Sequence, residues 1–114
     1  MIFTQASVDD LPAITALESE GFDHAGWSPD AWRGEIEASD RYVVLARDAA
    51  SLAVVGVATF QCVLETADLH RVVVRGDRRG QGIGRRLVLA GIGWAEAMGA
   101  ERVLLEVETT NAAA

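Results

Sequence analysis

Hydrophobic positions change their spacing several times along the chain, and each change predicts an element. Ile2 to Ala6 is a short strand candidate. Ser7 then offers a cap oxygen with Asp10 three residues on, and Leu11, Ile14 and Leu17 follow at helical spacing until Gly21 ends the helix. In "GWSPDAW" the start signal returns: Ser28 can cap, and Pro29 sits at the first helical position, where its missing N–H removes nothing. This second helix is predicted to run to about Ser39.

From Arg41 the pattern turns to β-branched and aromatic runs. "RYVVLAR" and "LAVVGVATFQCVL", joined by the turn-compatible "DAAS", predict an antiparallel hairpin, and "ADLHRVVV" supplies a further strand. A glycine-rich loop follows, and then Ile83, Leu87, Ala90, Trp94, Ala97 and Met98 fall on one helical stripe that Gly99 can stop. "RVLLEVE" is the last strand candidate. The order strand, loop, helix, strand implies a right-handed crossover between parallel strands. The fold class expected is α/β (α+β), a mixed and mostly antiparallel sheet flanked by helices.

Composition supports one compact domain over residues 1–114, since half of the residues are hydrophobic and no linker, repeat or low-complexity stretch interrupts them. Cys62 is the only cysteine, which excludes an intrachain disulfide and a cysteine-based zinc site and fits a reducing cytoplasm. The start "MIFTQASVDD" lacks the basic and apolar regions of an export signal, and no apolar run approaches the roughly 20 residues of a membrane span. No membrane partner and no metal site are expected.

Charge is unevenly placed. The net charge is -7, which disfavours nucleic acid, yet every basic residue is an arginine and six of them, Arg71, Arg75, Arg78, Arg79, Arg85 and Arg86, crowd one segment. They surround "RRGQGIGRR", where glycines alternate with Gln81 and Ile83. A glycine turn between strand and helix lets backbone N–H groups converge beside the positive end of the helix, and phosphate is the natural guest. On charge alone, a solvated surface patch is the simpler reading.

Two phosphate loops fail on the letters. The dinucleotide fingerprint needs a glycine where Arg85 or Leu87 stands, and the nucleoside-triphosphate loop needs a lysine, which this chain does not have. What matches is Arg79-Gly80-Gln81-Gly82-Ile83-Gly84, which resembles the Arg/Gln-x-x-Gly-x-Gly/Ala pattern of the GCN5-related N-acetyltransferases (GNAT). The order of elements is similar from near the N-terminus through "LEVETTN".

That resemblance implies acetyl-CoA as co-substrate. Its pyrophosphate would lie on the backbone amides from Arg79 through Gly84, that is Arg79, Gly80, Gln81, Gly82, Ile83 and Gly84, with Arg85 nearby. Val72, Val73 and Val74 would hold the pantetheine arm through main-chain bonds. The sequence departs from the family at Arg75, Gly76 and Arg78, where Asp-Pro and an aromatic residue are common.

Transfer to an amine requires a neutral nucleophile, so a base must take a proton from the ammonium, and an acid can protonate the departing thiolate. Strand alternation puts Glu106 and Glu108 on one face; both simply facing solvent at a sheet edge is the bland alternative. "LEV" with Asn111 five residues after the glutamate resembles the branch that acetylates protein N-termini, notably the ribosomal-protein-alanine N-acetyltransferases, as does "GWSPDAWRGEI". The resemblance implies Glu106 as general base, Asn111 on the pantetheine arm, and a protein or peptide N-terminus as acceptor. The family's general-acid tyrosine and its last helix and hairpin would follow Asn111, and the sequence stops at Ala114. Tyr42, on an early strand, is not expected to substitute. A chain truncated after the fifth strand would expose an apolar edge and is expected to self-associate, as in a homodimer, or to be of low stability.

Other polar residues are weaker candidates. His70 can relay a proton or be an ordinary bonded strand histidine, and His24 is a surface residue or an acceptor contact. Trp27 and Trp32 are expected to pack a helix on the sheet, with Trp27 alternatively lining an acceptor pocket, and Cys62 reads as a small core residue. Glu18, Glu20 and Asp23 read as a solvated helix end that can also attract an amine. The alternatives to protein N-terminal acetylation are a small-amine acetyltransferase and a degenerate acyl-CoA-binding module without efficient catalysis.

Overall fold

The computed structural model describes residues 1–21 and 26–105. Among the described residues five strands form one sheet in chain order: β1 (Ile2–Gln5), β2 (Arg41–Arg47), β3 (Val54–Val63), β4 (Thr66–Val74) and β5 (Arg102–Leu105). The first four pair antiparallel, and β5 joins β4 in parallel, as a helical crossover requires. The expected last strand reached Glu108, and its part from residue 106 on lies outside the described residues.

Among the described residues three helices cover the sheet: α1 (Leu11–Gly21), α2 (Pro29–Glu37) and α3 (Ile83–Ala97). The cap at Ser7 starts a single 3-10 turn, Val8–Asp10, before α1, because Asp10 folds back to accept the Ser7 N–H at 2.9 Å. At α2 the Ser28 hydroxyl accepts from the Ala31 N–H at 3.1 Å, and Pro29 opens the helix.

Alternation along the strands builds a core on each face. Leu11, Ile14 and Leu17 of α1 and Trp32 of α2 pack on Val43, Leu45, Val57 and Val73. On the opposite face Ile83 and Leu87 of α3 pack on Val44, Ala46, Val55, Ala58, Phe60, Leu69 and Val74. Adjacent residues of β2 thus serve different cores, and its central run is buried throughout.

The buried stripe of α3 is not the one expected. Ile83, Leu87, Gly91 and Ala95 are buried, Ala90 and Trp94 are partly covered, and Ala97 and Met98 are exposed. The reason is Gly91: the Phe60 ring rises from the sheet so close to it that a Cβ there would lie 2.1 Å from Cζ. This close approach seats α3 through small residues, and the larger Met98 falls past the sheet margin. Gly99, at φ +94°, ends the helix as expected. Cys62 is also corrected: it is partly exposed near the end of β3, with its Sγ 3.6 Å from the Leu64 carbonyl, and is not a core residue. Tyr42 packs against Trp94 (5.3 Å between centroids) and Phe60, and burial pushes its phenol pKa up.

Candidate active site

Between β4 and α3 the chain makes a 3-10 turn, Gly76–Arg78, and then the glycine run. Gly80 and Gly82 both take left-handed backbone, at φ +80° and +81°. Other residues resist that conformation by about 1–2 kcal/mol. A Cβ at either position would meet nothing within 4 Å, so the space beside the loop is open. Gly82 caps α3 without a side-chain acceptor, and the first loop-to-helix bond runs from Arg86 N–H to Gly82 O at 3.1 Å. The N–H groups of Ile83, Gly84 and Arg85 therefore lack intrahelical acceptors and point out of the positive end of a 15-residue helix. An anionic diphosphate fits this cradle.

The arginines around it are less available than their number suggests. Arg71 is bound to Glu18, Arg75 to Asp77 at 2.7 Å, and Arg78 to Asp48. Arg79 Nε donates to the Val74 carbonyl at 3.3 Å, while Arg85 and Arg86 are exposed, Arg86 lying 4.9 Å over the Phe3 ring. The expectation that the whole cluster meets a diphosphate is corrected accordingly. Arg71, Arg75 and Arg78 neutralise the protein's own acids.

Those pairs instead fix the loop. Asp48 accepts from the Ser51 and Ala50 N–H groups at 3.0 and 2.9 Å and from Arg78, which together hold its carboxyl far below the usual carboxylate range. The turn between β2 and β3 is thereby tied to the turn before the glycines. Glu20, near the end of α1, accepts the Gly76 N–H at 2.9 Å.

The edge of β4 is shaped by its register. Arg75 N–H bonds Val55 O at 2.8 Å, so by antiparallel alternation Val73 turns its main-chain groups toward Val57, which corrects its expected place on the pantetheine arm, and those of Val72 and Val74 face away from β3. Pairing with β5 ends at Leu69 and Leu105 among the described residues. Directly after that point the partner offset with β3 changes: Leu69 faces Phe60 and Arg71 faces Thr59, which leaves His70 as the extra residue of a bulge.

A bulge brings two successive side chains to one face, and each here meets a carboxylate from a helix. His70 Nδ1 lies 2.8 Å from Glu35 Oε1 on α2. The same carboxylate accepts from the Thr59 hydroxyl at 2.8 Å and from Arg41 Nε at 2.9 Å. Arg71 grips Glu18 on α1 through two nitrogens, Nη2 to Oε2 at 2.9 Å, and its guanidinium lies 5.5 Å from the Trp27 ring centroid. Glu18 also accepts the Trp32 indole N–H at 2.9 Å and the Trp27 N–H at 3.3 Å.

Glu18 is only 4% exposed, so the solvated helix end expected there is wrong for this residue. Both carboxylates are fully bonded, as burial of charge demands. The sequence carried a faint signal for them: Glu18 follows Leu17, and Glu35 comes three residues after Trp32, on the inward faces of their helices. Trp32 is fully buried as expected, and Trp27 tilts against it at 5.1 Å.

Glu106, Glu108, Asn111, His24 and Asp23 lie outside the described residues. Among the described residues no cluster of His, Cys, Asp and Glu has the makings of a metal site, and no helix is long and apolar enough to cross a membrane.

The sequence profile of the acetyltransferase (GNAT) family matches residues 8–114. The chain belongs to this family. No curated protein matches it. Among solved structures, the ribosomal-protein-S18-alanine N-acetyltransferase from Escherichia coli is similar at 26% identity and a TM-score of 0.84, over 98% of this chain and 70% of that one. A ribosomal-protein-alanine N-acetyltransferase from Brucella melitensis shares the fold at 16% identity and a TM-score of 0.79, over 96% and 82%. An aminoglycoside acetyltransferase from an uncultured soil metagenomic sample, in complex with sisomicin, shares it at 17% and 0.73, over 96% and 79%. GNAT membership makes the chain an N-acetyltransferase by class and accounts for the mixed sheet, while neighbours with such different acceptors show that this fold does not select the amine.

Proposed function

We propose that this GNAT protein transfers the acetyl group of acetyl-CoA to the α-amine of a protein or peptide N-terminus, in the cytoplasm. The observation that carries the cofactor half is the open glycine loop at the head of α3, beside the outward main-chain groups of Val72 and Val74. The amides from Arg79 through Gly84, with Arg85 at the rim, hold the pyrophosphate, and Val72 and Val74 hold the pantetheine arm. Asn111 adds a bond to that arm. Bound there, acetyl-CoA supplies an activated acyl group with a thiolate leaving group. Likeness to the Escherichia coli alanine N-acetyltransferase and the "LEV" to Asn111 spacing support the acceptor half.

Glu106 serves as the base that relieves the acceptor ammonium of its first proton, directly or through water. The test has two stages. Calorimetric titration with acetyl-CoA, with ATP as control, is expected to give saturable binding that Gly82→Val weakens by about tenfold or more. Thioester consumption is then expected with a peptide bearing a free N-terminal alanine and not with its N-acetylated form, and Glu106→Gln slows it without loosening the cofactor. A folded chain that does not bind acetyl-CoA refutes the cofactor reading. Turnover with sisomicin but not with the peptide refutes the acceptor.

A further inference from the structure

We propose that His70, oriented by Glu35, relays a proton from the acceptor nitrogen to the departing thiolate, a second proton-handling role that rests on the acetyl-transfer reading above. The tautomer follows from the bonding. Glu35 already accepts from Arg41 and Thr59, and an ionised carboxylate has no proton to give, so the 2.8 Å contact requires the hydrogen on His70 Nδ1. In the neutral ring Nε2 is then left with its lone pair.

The placement is equally specific. His70 is the extra residue of the β4 bulge, two positions before Val72 and one after the last described β4–β5 pair. Its bond to Glu35 of α2 puts it on the face carrying α1 and α2, with its side chain one quarter exposed. The sheet's alternation does not require this residue. Bulges of this kind re-aim side chains and end pairing.

Among the described residues, the charged and titratable groups around it come from α1, α2, β2 and β4. Glu35 comes from α2, with Arg41 of β2 behind it. β4 itself contributes Asp68 and Arg71, and Arg71 is bound to Glu18 of α1. From β3 the neutral Thr59 hydroxyl reaches the same carboxylate.

The proton count explains the need. An ammonium that becomes an amide loses two protons, and Glu106 takes the first. The nitrogen lone pair then forms the C–N bond at the thioester carbonyl carbon, and the nitrogen is left with one proton too many. Nε2 takes that proton, the C–S bond breaks with its electron pair on sulfur, and the imidazolium returns the proton to sulfur. Ammonium and acetyl thioester become amide and thiol, and one proton is released through Glu106.

The experiment uses the whole chain and three proteins: wild type, His70→Gln and Glu35→Gln. His70→Gln keeps an N–H donor for Glu35, so folding and acetyl-CoA affinity measured by calorimetry are expected to stay unchanged. Its kcat is expected to fall about 10²-fold with KM for the peptide within twofold. Glu35→Gln acts through orientation, so it shows an intermediate kcat with KM for the peptide again within twofold. Independently of turnover, nitrogen-15 NMR of the neutral imidazole is expected to show its hydrogen on Nδ1 and not on Nε2. Wild-type turnover that His70→Gln leaves intact, or a neutral ring with its hydrogen on Nε2, overturns the relay and leaves the transferase reading standing. Absence of wild-type turnover with bound acetyl-CoA overturns the transferase reading first, and the relay with it.

Discussion

Replacing Gly91 by alanine adds one carbon to α3, and the structure says where that carbon goes. It would lie 2.1, 2.2 and 2.4 Å from Cζ, Cε1 and Cε2 of Phe60. Carbon atoms settle at about 3.5–4.0 Å, so ring or helix must give way by roughly 1.5 Å. Phe60 is fully buried between the sheet and α3 and has no free direction. Overpacking of this kind costs about 1–3 kcal/mol, and the closeness argues for the upper end. Removing a helical glycine returns about 1 kcal/mol, which leaves a net loss of about 2 kcal/mol. For a domain of this size that lowers Tm by roughly 10 °C.

Gly93 provides the control on the same helix. A Cβ there meets nothing within 4 Å, so Gly93→Ala is expected to raise Tm by a few degrees. Thermal unfolding followed by circular dichroism measures both. The double variant Gly91→Ala, Phe60→Leu is expected to be more stable than the sum of its single changes predicts, because the smaller side chain frees the space. Since α3 carries the glycine loop at its head, Gly91→Ala is also expected to weaken acetyl-CoA binding while Gly93→Ala does not. A Gly91→Ala protein as stable as wild type would refute the packing argument.

Two further predictions concern the charged residues. Glu18→Ala removes the buried carboxylate that the Arg71 guanidinium and the Trp32 indole N–H share, and is expected to cost about 3–5 kcal/mol by urea denaturation, with Glu18→Ala, Arg71→Met recovering part of it. Asp48, whose carboxyl titrates below its unfolded value of 3.8, binds fewer protons when folded than when unfolded. Its stabilisation is therefore complete above that value and is lost as pH falls toward the folded one, so Asp48→Asn should flatten the acid limb of Tm against pH, and an unchanged limb would contradict the Arg78 clamp.

The strands were legible because β2, β3 and β4 combine β-branched residues with short turns, and the helix starts because Ser7 and Ser28 precede acidic and proline first turns. The loop was legible because Gly80 and Gly82 occupy backbone that other residues avoid. What escaped was pairing at long range. Nothing local tells that Arg71 faces Glu18, 53 residues earlier, or that Glu35 reaches His70 across 35. Counting arginines as phosphate ligands failed for that reason: charge along a chain does not reveal which charges the fold uses for itself. The α3 stripe failed differently, since periodicity cannot foresee that a ring from the sheet needs a glycine opposite it.

The bulge at His70 has a consequence for how such a chain changes over time. Leu69 faces α3 and Arg71 faces α1 and α2, so a strand lacking His70 would alternate regularly through Val72, Val73 and Val74 with every valine on its present side. Loss of one codon would leave the hydrophobic pattern of β4 in frame while removing both the bend and the imidazole. The proton relay is thus a one-residue module, separable from the core around it and open to gain or loss in a single genetic step.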